Sequence, residues 1–128
     1  ACPIRGRTGS PEEIAYNGRL AKGYVGFMRG YLGPGYDIYC PTEHDEVVQI
    51  AWERGTFKID DILSADLAIV DLCQIVIAGR WVPSKGVCGE VDYARGVVGL
   101  YTYDFWDLEG LIHVCDSIGG IEWQESCA

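Results

Sequence analysis

The chain has 128 residues, 48% of them hydrophobic and 23% charged, which is the size of one ordinary domain with enough apolar side chain for a core. Disorder is excluded on that composition. The formal net charge of -9 excludes a protein that wraps a nucleic-acid backbone, since that needs a basic footprint. A single nucleotide stays open, because a few N–H groups and one Arg can hold one phosphate.

No apolar run approaches the length of a membrane span. No basic segment followed by an apolar one stands at the start, so no signal peptide is expected. The six cysteines, Cys2, Cys40, Cys73, Cys88, Cys115 and Cys127, include no C-x-x-C pair. Several follow apolar residues, as in "DIYC" and "VDLC". Buried free thiols in a reducing cytosol are the expectation, and with them a cytoplasmic location.

"ACPIRGRTGSP" is a short apolar lead into a loop rich in Gly, Ser and Arg. From Pro11 to Leu32, the residues Ile14, Ala21, Tyr24, Val25, Met28 and Leu32 follow helical spacing. Pro11, Glu12 and Glu13 suit the start of that helix, and "GPG" at 33–35 ends it. "YDIYC" (36–40) reads as a short strand. "PTEHDEVVQIAWERG" reads as a loop entering a helix over about 45–54. "KIDDILSA" reads as one or two helical turns. "DLAIVDL" (66–72) is a near-continuous apolar run with β-branched residues, the profile of a strand buried on both faces. The loop "CQIVIAGRWVPSKG" follows. After Pro83 a helix is expected, with Val87, Val91, Ala94 and then Val97 or Val98 on its apolar stripe. "GLYTYDF" (99–105) reads as a strand and "WDLEGLIHVCDSIGG" as a last amphipathic helix.

Strands alternating with helices predict an α/β domain over 1–128, with a mostly parallel sheet and helices on both faces. Ligands in such sheets bind at the carboxyl ends of the strands. That places the loops 3–10, 41–46 and 73–86 together. The first strand should precede "CPIRG", where only Ala1 and Cys2 stand, so that strand is expected either to be shortened or to draw on residues before Ala1.

Within those loops, Arg5, Arg7, Thr8, Ser84 and a helix start with Gly86 are the kinds of group that hold a phosphate. Ser84 also suits a plain helix N-cap. Glu90 lies on or beside the apolar stripe of the helix after Pro83, and carboxylates are seldom buried unless paired or functional. A partly desolvated carboxylate beside a sugar is a competent nucleophile, or a stabiliser of an oxocarbenium ion. Acid catalysis needs a second group, and Asp60, Asp61, Asp92, Glu43 and His44 are candidates by loop placement. Trp81 is the aromatic best placed to cover a base. Cys88 is expected to pack. "TEHD" lacks a second His at ligand spacing, so no metal is expected.

The motif "PSKGVCGEVDYA" resembles the P-S-x-G-(V/T)-x-x-E-x-x-x-A signature of the nucleoside 2-deoxyribosyltransferase superfamily. "CPIRG", "PTEH" and "SADLAIVDL" look like segments of its relatives, the 2'-deoxynucleoside 5'-monophosphate N-glycosidases. The similarity runs in order over roughly 1–105 and is strongest at 83–94. It implies a Rossmann-like three-layer sandwich, with a mostly parallel sheet of about four to five strands. It implies cleavage or transfer at the N-glycosidic bond of a deoxynucleoside or its 5'-monophosphate. On that resemblance Glu90 attacks the anomeric carbon, and Ile4, Arg5, Gly6, Ser84 and Gly86 hold the sugar's 5' end or its phosphate, with His44 and Trp81 beside them. Lys58 stands where the family has a conserved Asp, with Asp60 and Asp61 close by. The resemblance also implies no cofactor and no metal, a small-molecule nucleoside or nucleotide as the partner, and a homodimer or higher oligomer. A nucleotide-binding module without turnover is the rival reading on the same fold.

Overall fold

The computed structural model describes residues 9–40, 50, 53–55 and 59–121. The expected helix at about 45–54 falls largely outside them. Helix α1 spans Pro11–Leu32. Its start is fixed as the sequence indicates: Ser10 Oγ accepts a hydrogen bond from the Glu13 N–H at 3.2 Å, with Pro11 in the first turn. Its end is closed by the Gly33 N–H donating to Arg29 O at 3.1 Å.

Two expected strands do not form. Residues 36–40 have no regular secondary structure, and residues 66–70 belong to helix α2, Ile59–Val70. A short apolar run suits a buried helix as well as a buried strand. Here the Asp-Leu-Ala stretch continues the helix begun at Ile59. Strand β1 forms next, at Ile75–Gly79, inside the segment expected to be a loop. Its Ile-Val-Ile sequence has the β-branched side chains that fit a pleated surface.

Helix α3, Lys85–Tyr93, follows, and runs into a π-helical turn at Ala94–Val98. Gly99 closes that turn at φ 76°, a left-handed conformation in which glycine carries no side-chain penalty. Of the two residues expected to continue the stripe after buried Ala94, Val98 is half-buried and Val97 is 70% exposed. Strand β2 is Tyr101–Phe105 and helix α4 is Leu108–Gly119, N-capped by Asp107 Oδ1 on the Gly110 N–H at 2.8 Å. Both lie where the pattern places them.

β1 and β2 pair in parallel, Ile75 opposite Tyr101 and Gly79 opposite Phe105. Strand alternation then sorts the two faces. On one face Ile75, Ile77, Tyr103 and Phe105 pack against α1 and α4, with Val25, Met28, Leu111 and Ile118. On the other, Val76 packs with Val70 and Ala94, while Ala78 packs with Val87 and Val91. The β1–α3–β2 unit therefore has helices on both sides of a parallel sheet. Among the described residues that sheet has two strands, and the class is α/β.

Gly79 is needed for packing. A Cβ placed there would stand 2.3 Å from the Trp81 ring, so only glycine admits the ring at this point of the strand. None of the described helices is long and apolar enough to cross a membrane.

Candidate functional site around Glu90

Ser84 begins the helix that carries Glu90. Its Oγ accepts the Val87 N–H at 3.3 Å, the N-cap role open to it from the sequence. Val87 and Val91 then turn inward and are 2% and 1% exposed. Glu90, one residue before Val91, stands at the edge of that buried face and is half-buried. It borders a cavity of about 990 Å³ between α1, the 36–40 segment, the end of α2 and β1. That volume is at the upper end for a small-molecule site, roughly 300–1,000 Å³.

The cavity wall is mostly aliphatic and aromatic, including Met28, Ile69, Ile75, Val76 and Phe105. Its polar members include Glu90, Asp37, Arg29, Gln74, the tyrosines Tyr24, Tyr36 and Tyr39, and the thiols of Cys40 and Cys73. Arg29 Nη2 donates to Ile38 O at 2.8 Å and so ties α1 to the 36–40 segment. Burial pushes the Cys73 thiol above its ordinary value, and its Sγ–H donates to Ile69 O at 3.3 Å. A thiol so held carries less thiolate than a free one, which suits a lining group better than a nucleophile. The two carboxylates on the wall are Glu90, half-buried, and Asp37, exposed.

Of the described site residues expected from the sequence, Glu90 is the one that lines this cavity. Ser84 and Gly86 do not. Gly86 is exposed in the first turn of α3, and an added Cβ would meet only Ser84 Oγ at an ordinary 3.7 Å. The cavity runs beside Ile75–Ile77 and not beyond the carboxyl ends of the strands, where the ligand site was expected. Ile4, Arg5, Gly6 and His44 lie outside the described residues. Asp60 and Asp61 fall in the first turn of α2, with their side chains outside the described part.

Trp81 is a correction. Expected to cover a base, it turns into the core. Its ring lies 5.2 Å from Tyr24 and 5.9 Å from Phe105, and its Nε1–H donates to Asn17 Oδ1 at 3.0 Å. An indole buried on one side with its N–H satisfied is a packing residue. Cys88 is corrected in the opposite sense, being exposed. Its Sγ accepts from Arg80 Nη1 at 3.4 Å, and Arg80 Nε is paired with Asp104 Oδ1 at 2.9 Å. Burial works against the Arg80 charge, but the bonds to Asp104 and Cys88 outweigh it and hold the guanidinium protonated above its ordinary value. Asp92 is exposed, and Tyr93 is tied by its hydroxyl to Asp71 Oδ1 at 2.7 Å.

Asp37 and Arg29 were not singled out from the sequence. The signal available was slight: Asp37 is the one charged residue in "YDIYC", and Arg29 lies in the last turn of a helix, where a basic residue is expected to face the carbonyl ends.

Comparison with family models, with curated proteins and with solved structures finds no match to this chain.

Proposed function

We propose that this chain acts at the N-glycosidic bond of a deoxynucleoside or its 5'-monophosphate, with Glu90 as nucleophile on the anomeric carbon. The observation that carries the reading is Glu90 itself, half-buried at the wall of a largely apolar cavity of about 990 Å³. The sequence resemblance centred on 83–94 supplies the reaction class. A carboxylate with little water around it interacts more strongly with a developing oxocarbenium ion than one in bulk solvent. Water as acceptor gives hydrolysis, and a second base gives transfer. The acid that protonates the leaving base is assigned to the Asp60 or Asp61 of the sequence reading, while Asp37 shares the cavity wall with Glu90. Arg5, Gly6 and Ile4 belong to the proposed phosphate loop. The β1–α3–β2 unit is proposed as the kernel of a Rossmann-like sheet of about four to five strands.

The apolar wall also favours a second reading, a nucleotide-binding module without turnover. One experiment separates them. The chain is incubated with deoxynucleosides and their 5'-monophosphates, with and without a second free base, and base release is followed by chromatography. The enzyme reading expects release or exchange that falls about 10³-fold or more in Glu90→Gln while the fold is kept. Binding with no base release in the wild type establishes the module.

A further inference from the structure

Strand β2 has a second edge that β1 does not use. The Arg80 N–H donates to Phe105 O at 2.8 Å, so the Phe105 carbonyl points toward β1. The N–H and C=O of one strand residue point to the same side and alternate along the strand. Tyr101 and Tyr103 therefore also address β1, while Thr102 and Asp104 turn their N–H and C=O toward the other edge. Among the described residues no strand pairs there. Open edges of this kind invite another chain unless blocked by Pro, charge or a bulge; "YTYDF" has no Pro, and its one charge, Asp104, is paired with Arg80 and Arg95.

We propose that this edge is an interface between two copies of the chain, in which β2 pairs antiparallel with β2 of a second copy about a two-fold axis through Tyr103. The sequence is self-complementary in that register. Leu100 falls opposite Trp106, Tyr101 opposite Phe105, and Thr102 opposite Asp104. The two Thr102–Asp104 pairs have all their backbone groups facing across the axis, so they form the closely bonded pairs of an antiparallel ladder. At the end of the strand the exposed Trp106, at 64%, comes to face Leu100 of the second copy.

Charge selects the same occupant. Arg95 is 54% exposed; its Nε donates to Thr102 Oγ1 and its Nη2 lies 3.6 Å from Asp104 Oδ2. With the partner's Asp104 opposite Thr102, Arg95 stands between two carboxylates, one from each copy. A chain of net charge -9 needs such matched charges where it meets itself. Sliding the axis to Asp104 sets that carboxylate against its own copy, a like-charge pair. Sliding it to Thr102 sets Asp104 against Leu100. The pairing is isologous and closes at two copies, joining the two sheets into one.

The test uses the whole chain and two readouts. Sedimentation gives the mass against concentration, with about twice 14.1 kDa expected. Amide hydrogen exchange is read residue by residue. In the paired state Thr102 and Asp104 exchange about tenfold or more slowly than on dilution to the single chain, while Tyr103 and Phe105 are protected in both. Thr102→Pro removes an edge N–H that β1 does not use, and is expected to abolish the doubling with the β1–β2 ladder kept. Tyr103→Cys is expected to cross-link copy to copy, because facing residues at the axis lie about 4.5 Å apart at Cα, whereas Tyr101→Cys does not. A single-chain mass at all concentrations overturns the proposal. So does protection of Thr102 and Asp104 that does not change on dilution, which would mean that another part of the same chain covers the edge. So does a dimer unaffected by Thr102→Pro.

Discussion

Trp81 Nε1 lies 3.0 Å from Asn17 Oδ1, and this bond joins the segment after β1 to the middle of α1. Asn17 is 1% exposed, the one polar residue among the buried side chains described. Its amide oxygen satisfies an indole N–H that would otherwise be turned into the core without a partner. Asn17→Leu keeps the volume and removes the acceptor. The expected loss is about 1–3 kcal/mol in denaturant unfolding, the desolvation cost of an unpaired donor. A variant as stable as the wild type would show that the Trp81 N–H finds another partner.

Gly79 and Trp81 are coupled through space. Gly79→Ala drives a methyl group to 2.3 Å from the indole ring, and ring or strand has to move. A destabilisation of about 1–3 kcal/mol is expected, together with altered near-ultraviolet dichroism from the displaced ring. In a Trp81→Leu background the same glycine substitution is expected to cost less, and the difference is the coupling between the two sites.

The thiols should separate into classes. Cys88 is exposed, while Cys40 and Cys115 are buried. Burial raises the Cys73 and Cys115 thiols above their ordinary value, which lowers the fraction of reactive thiolate near neutral pH. Among the four described thiols, alkylation followed by peptide mapping should label Cys88 first and Cys73 more slowly. Cys40 and Cys115 should react only on unfolding. Cys115 labelling as fast as Cys88 in the native state would contradict the packing of α4.

Two exposed phenols donate to carboxylates: Tyr31 to Asp116, and Tyr93 to Asp71. These hydrogen bonds, with a smaller contribution from desolvation, raise both phenols above the ordinary 10.0. A raised folded-state value means that the protonated form is the one stabilised. The contribution is therefore fully present below pH 10.0 and is lost as the pH rises through the higher folded values. Ultraviolet titration should show two late-ionising tyrosines in the folded chain, with one late step removed by Tyr31→Phe and the other by Tyr93→Phe.

Local chemistry was enough to read much of this protein from its residues. Ser10, Pro11 and the two glutamates set the start of α1, and Asp107 sets that of α4, because caps and first-turn charges act within a few residues. The half-buried setting of Glu90 followed from its place beside Val87 and Val91 on one helix face. The tertiary structure decided what depends on distant partners. The apolar run 66–72 and the run 75–79 are alike in composition, yet the first continues a helix and the second is the strand. The second has β2 to pair with, and a strand exists only where another strand completes its hydrogen bonds. Trp81 turned inward because Asn17, 64 positions earlier in the chain, offers an acceptor and Gly79 leaves room for the ring. Asp37 entered the cavity wall because Arg29 of α1 holds the 36–40 segment at Ile38, a placement that no spacing within "YDIYC" encodes. Sequence pattern reports what a residue needs, such as burial, a cap or a charge partner; only the folded chain fixes which distant residue meets that need.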